Sequence, residues 1–297
     1  MHFHSVNFIV DKYNYIWTIR KPMSLPRAKV QKKVRALVND ISKREGLVVA
    51  FSGGVDSTVL AKLAYQALGA KAIAVTEDSD LMPRAEVKKS RSLARLIGIS
   101  QFVIKREGLD DEMIIKNPSD RCYHCRKGLV EILKRLAAAH GISTIADGAN
   151  MSDLGEHRPG IKAADEGGVW HPFIDQKVDK VMIRAMAKEL GIPIHNKPAA
   201  ACLASRIPYG HTITRKKLEQ VEKAESFLQG IGLSHVRVRH HGDVARIEVP
   251  KKDFKKFREE RFRAKIISKL KRLGFRYITI DLLGYRPGSM DEAISRK

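Results

Sequence analysis

Short apolar runs alternate with longer amphipathic stretches along the first two thirds of the chain. A helical pattern covers about 28–44 and leads into the wholly apolar run Leu47-Val48-Val49-Ala50-Phe51. Helix-period stretches follow at 56–68, 84–97, about 125–139 and 180–190, with strand-like segments at 71–76, 101–105 and 143–147 between them. Strands that are apolar on both faces belong inside a sheet covered by helices on each side. This order therefore predicts right-handed βαβ units and a parallel α/β sheet. Ligands of such sheets sit beyond the carboxyl ends of the strands, which singles out the segments just after 51, 76 and 147. Gly191-Ile192-Pro193 ends the last of these helices, as Gly and Pro commonly do. Beyond a linker at 198–211 the pattern changes. A helix at 214–228 precedes two alternating segments, 235–240 and 244–249, joined by Gly242-Asp243; a long basic helix and a strand at 277–282 follow. The expected organisation is an N-terminal extension 1–27, a nucleotide-type α/β domain 28–198, and a smaller α+β domain 199–297.

Composition narrows the setting. The hydrophobic fraction of 43% and charged fraction of 30% are those of a globular protein. No apolar run approaches the roughly 20 residues that span a bilayer. The first residues lack a basic-then-apolar export pattern, and Met23 offers an alternative start. A cytoplasmic protein without membrane contact is the expectation. The net charge of +22 is uneven: about +7 falls in 1–46, +4 in 47–210 and +11 in 211–297. Such a surplus attracts phosphates or RNA, and is also a composition found in proteins of hot environments.

The string Ser52-Gly53-Gly54-Val55-Asp56-Ser57 stands between a buried strand and an apolar helix. Two glycines let backbone approach an anion closely, and the helix start aims free N–H groups and the positive end of its dipole at it. Ser52 and Ser57 add hydroxyl donors. Asp56 repels a phosphate directly, so its expected task is to help hold the Mg²⁺ that neutralises a departing pyrophosphate. The string lacks the Gly-Lys-Ser/Thr ending of the Walker loop.

Three cysteines, Cys122, Cys125 and Cys202, are an odd total with one C-x-x-C pair, which argues against a disulfide framework. Cys122 and Cys125 lie at an expected helix start, where the dipole favours thiolate. Three converging thiolates suit a [4Fe–4S] cluster with one iron open. A zinc site would need a fourth ligand, for which His124 is a weak candidate, and three unrelated buried cysteines remain the plain alternative.

Ser52 to Ser57 resembles the signature of the PP-loop ATP pyrophosphatases. The resemblance implies an adenine nucleotide alpha hydrolase-like fold, cleavage of ATP between its α and β phosphates, and Mg²⁺. It further implies nucleotide contacts from Thr76 and from Gly148 and Asn150 in the turn Asp147-Gly148-Ala149-Asn150. Longer strings cover nearly all of 28–290. The run from Asp147 to Gly155, His157 to Ala164, Asn196 to Gly210 and Arg237 to Glu248 are similar to the LarE family of ATP-dependent sulfur transferases. That family implies adenylation of a carboxylate of pyridinium-3,5-biscarboxylic acid mononucleotide and its conversion to a thiocarboxylate, for the nickel-pincer nucleotide cofactor. In one branch the cysteine matching Cys202 gives up its own sulfur; in another three cysteines hold a cluster carrying an extra sulfide. The presence of Cys122 and Cys125 favours the second. Relatives of the family also imply a homo-oligomer.

Alternation along a strand places Arg237 and Arg239 on one face, the layout of a bidentate clamp for a substrate phosphate. Arg206, four residues beyond Cys202, is a second candidate for the anionic substrate, and Glu222 and Glu225, on the helix before that strand, are carboxylates within reach of a metal. The competing function is a PP-loop tRNA thiolation enzyme, which would use the same loop and the basic exterior. Paired zinc-finger cysteines and a recognisable RNA-binding module are missing from the sequence, so the small-molecule nucleotide is the expected partner.

Overall fold

The structure is a computed structural model of the chain and describes residues 25–155, 158–197, 201–233, 235–286 and 288–290. The expected extension lies outside them through residue 24.

The first sheet holds β1 (Leu47–Ala50), β2 (Ala72–Ser79), β3 (Ser100–Arg106) and β4 (Ile145–Ala146) in the order β3-β2-β1-β4, all parallel. β1 alternates its apolar side chains between two cores, because successive strand residues point to opposite faces. Leu47 and Val49 join one cluster with α1 (Arg27–Ile41), α2 (Val55–Leu68) and α8 (Lys180–Glu189). Val48 joins another with α5 (Arg121–Ala139) and α6 (Pro159–Glu166). On α5, Val130, Leu133 and Ala137 fall at helical spacing on the sheet-facing stripe. α3 (Arg84–Ile97) links β2 to β3 and ends on Gly98 in the left-handed conformation, φ 88°.

The α/β expectation holds, with shifts at ends. β2 runs three residues past Thr76, and β4 keeps two residues of the expected five because Trp170 takes over its edge through a bridge to Ala146. The cysteine helix begins at Arg121. Two four-residue helices, α4 (Glu112–Ile115) and α7 (Pro172–Asp175), add to the expected set.

The second sheet holds β5 (Arg237–His241), β6 (Val244–Glu248) and β7 (Tyr277–Ile280) in that order. β5 and β6 form an antiparallel hairpin over Gly242, φ 63°, and β7 is parallel to β6. α9 (Arg215–Gly230) and α10 (Glu260–Arg272) cover it around Leu228, Val238, Ile247 and Leu270. The expected long basic helix is broken: Lys251–Arg258 is a 3₁₀ segment, and α10 starts at Glu260. Between the sheets Leu81 and Ile114 pack against Leu203, Ile207, Leu218 and Val221, which fixes the Cys202 segment against the first lobe.

Candidate active site

The loop after β1 is built by its own side chains. Phe51 N–H reaches Val75 O at 2.8 Å, which carries the chain to the carboxyl edge of the sheet. Ser52 and Ser57 hydroxyls meet at 3.1 Å, and Gly54 N–H donates to Ser52 Oγ at 3.3 Å. Gly53 sits at φ 69° with Ser90 Cβ 3.0 Å from where its own Cβ would stand, so both conformation and space require glycine. A Cβ on Gly148 would meet Ser57 N at 2.9 Å; the turn after β4 therefore packs directly onto the start of α2.

This loop opens into a cavity of about 490 Å³ lined by Ser52, Asp56, Ser57, Thr76, Gly148, Asp153, Arg126, Arg158, Lys180 and all three cysteines. Asp56 pairs with Lys180 through Oδ2, while its buried Oδ1 has no partner among the described residues. Asp153 is raised by burial, against Arg158, with Asp56 adding to the rise. Two neighbouring carboxylates and an orphaned oxygen suit a hard divalent cation. Thr76 lines the cavity, but its hydroxyl donates to Phe51 O at 2.6 Å and accepts from Gln101. Asn150 is spent on its turn: it accepts from Ser152 N–H and donates to Asp153 Oδ2 at 2.6 Å.

Cys122 and Cys125, one helical turn apart on α5, share the cavity wall with Cys202. Burial, then Glu77, pushes the Cys125 thiol up to about 12, so the helix-start effect expected to favour thiolate is overridden there. Arg106 faces that sulfur at 3.7 Å and pairs with Glu77. His124 turns to Asp120 at 3.3 Å and lies off the cavity wall. Among the described residues no three of His, Cys, Asp and Glu are drawn together as a metal-holding group; the sulfurs share a cavity without closing on one point.

The arginines are placed differently from a simple clamp. Arg206 is 2% exposed and grips Glu225 with both arms, Nε to Oε1 at 2.9 Å and Nη2 to Oε2 at 2.8 Å. Its Nη1 donates to Ala201 O and Cys202 O, each at 2.8 Å, so it braces the cysteine's backbone. Arg239 donates to Glu248 at 2.7 Å, Ser289 Oγ at 2.8 Å and Ser205 O at 3.0 Å. Glu248 is completely buried and needs that cation. Arg237 lies over the Tyr285 ring and lines a second cavity of about 290 Å³ with Lys89, Lys197, Arg206 and His235. Ala201 and Leu203 face that second cavity while Cys202 faces the first. Glu222 accepts from Arg84 N–H at 2.6 Å.

Sequence reasoning missed Lys180, Asp153, Arg158, Arg121 and the chain Arg126–Asp147–His171–Asp165. Asp147 pairs with Arg126, accepts from His171 Nδ1 at 2.6 Å and holds Ala149 N–H at 3.0 Å. Burial alone would raise its carboxyl; Arg126 and His171 outweigh that and lower it to about 2. Burial lowers His171, and Asp147 overcomes this to raise it. Asp147 at a strand end was a visible signal; nothing local marks Lys180.

The profile of the NAD synthase family matches residues 27–121, the loop and sheet up to the cysteine pair. An uncharacterized protein of Synechocystis is 35% identical over 267 residues, covering 90% of this chain and all of that protein. A pyridinium-3,5-bisthiocarboxylic acid mononucleotide synthase of Lactiplantibacillus plantarum is 36% identical over 265 residues, covering 89% of this chain and 95% of the synthase. A glutamine-hydrolyzing GMP synthase of Aeropyrum pernix is 29% identical over 223 residues, covering 66% of this chain and 42% of that enzyme. With a nucleotide loop and three cysteines on one cavity, and a match along nearly the whole length of the Lactiplantibacillus synthase, the chain belongs to the LarE family of PP-loop enzymes.

Proposed function

We propose that this chain is an ATP-dependent sulfur transferase that adenylates a carboxylate of pyridinium-3,5-biscarboxylic acid mononucleotide and converts it to a thiocarboxylate. One observation carries the reading: the loop Ser52–Ser57 and Cys202 open into the same cavity. Activation and sulfur delivery therefore take place within one site. A carboxylate is a poor electrophile. Its oxygen attacks the α-phosphorus of ATP, the bond to the β-phosphate oxygen breaks, and pyrophosphate leaves as the acyl-adenylate forms. The N–H groups of Gly53 to Ser57 and Lys180 receive the pyrophosphate charge, and Asp56 with Asp153 would hold Mg²⁺, which when bound neutralises the leaving group. A hydrosulfide then forms the C–S bond, AMP departs with the C–O bond, and the sulfur's proton passes to solvent.

Cys122, Cys125 and Cys202 would hold a [4Fe–4S] cluster, which when bound supplies sulfide; the three thiols line one cavity in the right number, and would have to draw together to ligate it. Arg206 orients Cys202 through its backbone carbonyl, and Arg237, with Lys89 and Lys197 around the second cavity, is assigned the substrate phosphate. Arg239 supports that strand through Glu248. In this reading 28–198 is the nucleotide domain, 199–297 contributes substrate binding and oligomer contacts, and the enzyme is a cytoplasmic homo-oligomer. No described helix is long and apolar enough to cross a membrane.

The test is anaerobic turnover with ATP and candidate acceptors. Pyrophosphate release that depends on the biscarboxylate mononucleotide, with sulfur in the product, is the expected result. Release dependent on tRNA or on ammonia alone contradicts it.

A further inference from the structure

Among the described residues, Arg121 is a buried cation without a carboxylate partner. It opens α5, the residue is 3% exposed, and it lines the cavity with Cys122 and Cys202. Nη1 donates to Asn117 Oδ1 and faces Ala204 O at 3.5 Å; Nη2 faces Cys122 Sγ at 3.7 Å; the Tyr209 ring lies 5.7 Å away. Among the described residues none of these partners is a carboxylate. The other arginines around this site differ. Arg106 has Glu77, Arg126 has Asp147, Arg206 has Glu225 and Arg239 has Glu248. A buried charge without a carboxylate is costly, and here the compensating negative charge must come from the sulfur side that the guanidinium faces.

The position of Arg121 is fixed from the Cys202 side. Asn117, completely buried, donates through Nδ2 to Pro208 O at 2.8 Å and His211 O at 3.2 Å, and its backbone carbonyl accepts from Gly210 N–H at 2.9 Å. The guanidinium is thus held in the gap between two cysteine-bearing segments, facing Cys122 on one and the Ala204 carbonyl on the other. Nη1 is taken by the oxygens of Asn117 and Ala204, which leaves Nη2 facing sulfur, a side that suits a small soft anion better than a phosphate; the phosphate donors are on the loop at 52–57.

We propose that Arg121 is a positioning residue that neutralises and orients the anionic sulfur destined for the adenylate, within the cavity that it lines together with Cys122 and Cys202. This rests on the sulfur-transfer reading above. The chemistry is the same whether the sulfur is free hydrosulfide or iron-bound sulfide, and the experiment separates them.

Anaerobically purified full-length protein is titrated with sodium hydrosulfide, before and after iron removal by chelation, as wild type, Arg121→Gln and Arg121→Lys. The Gln variant is expected to bind hydrosulfide at least tenfold more weakly, and the Lys variant, which keeps the charge, to recover most of the loss. Persistence of Arg121-dependent binding after chelation identifies free hydrosulfide. Its loss on chelation, with a reduction equilibrium of the iron centre disfavoured at least tenfold in Arg121→Gln, about 59 mV for one electron, identifies the iron-bound form. Wild-type affinity in Arg121→Gln overturns the proposal. Should the Gln variant fail to fold, wild-type crystals soaked in sodium iodide give the answer: iodide in contact with Arg121 supports it, and iodide confined to the loop and surface overturns it. Wild-type protein that releases no pyrophosphate with the biscarboxylate substrate would instead remove the parent reading.

Discussion

The two walls of the cavity are made in opposite ways. The nucleotide wall is local: Ser52, Gly54, Ser57 and Thr58 hold one another across five residues or fewer, and its proposed binding groups are backbone N–H groups of the same short segment. The sulfur wall is assembled from distant segments, α5, the stretch around Cys202 and β5, tied by buried ion pairs such as Arg206–Glu225 and Arg239–Glu248. A local wall survives changes elsewhere, whereas an assembled one depends on every brace.

The largest effect expected from this contrast is on stability. Glu225→Ala leaves the Arg206 guanidinium buried without its counter-ion and removes the acceptor of Val238 N–H, and should cost about 3–5 kcal/mol in denaturant unfolding. A loss within the range of ordinary surface substitutions would mean the brace is dispensable. Asp56→Ala addresses the local wall. It should lower pyrophosphate release by about 10²–10³-fold, the scale of losing one charge-stabilising group, in a chain that stays folded because α2 is held by Val59, Leu60 and Leu63. Unchanged release in a folded variant counts against the Mg²⁺ role.

Gly53→Ala should cost about 1–2 kcal/mol for its left-handed backbone, with weakened ATP binding because Ser90 must give way. Equal melting temperatures and ATP affinity would show that the turn tolerates a side chain. The smallest effect is the pH dependence of the Asp147–His171 pair. Asp147 is lowered to about 2, so its contribution is present above the unfolded carboxyl value of about 3.9 and is lost as pH falls from there through about 2. His171 is raised, so its contribution is complete below the unfolded value of about 6.5 and is lost as pH rises through the folded value. Thermal unfolding of His171→Asn should lack the decline on the alkaline side; an unaltered decline would assign it to another group.

The same contrast explains what was legible in the sequence. The loop could be read residue by residue because its chemistry is contiguous, and β1 could be read because burial on both faces leaves an unbroken apolar run. Arg237 and Arg239 illustrate the limit. Strand alternation gives their spacing, but the completely buried Glu248 across the hairpin claims Arg239, and the second cavity takes Arg237. The Cys125 thiol departs from expectation for the same reason: helix position is visible in sequence, burial beside Glu77 is not. Lys180 and Arg121 carry no local motif, and only the folded chain brings one to Asp56 and the other to the cavity it lines with the cysteines.

The central claim is that one cavity activates a carboxylate with ATP and delivers sulfur from a three-cysteine site. Its most direct test is mass spectrometry of product and intact chain after one anaerobic turnover with ATP and the biscarboxylate mononucleotide. The account predicts a thiocarboxylate product, an unchanged chain mass, and no product from Cys122→Ser. A chain lighter by one H₂S, about 34 Da on the chemistry of cysteine, localised to Cys202 and formed equally well by Cys122→Ser, would contradict it.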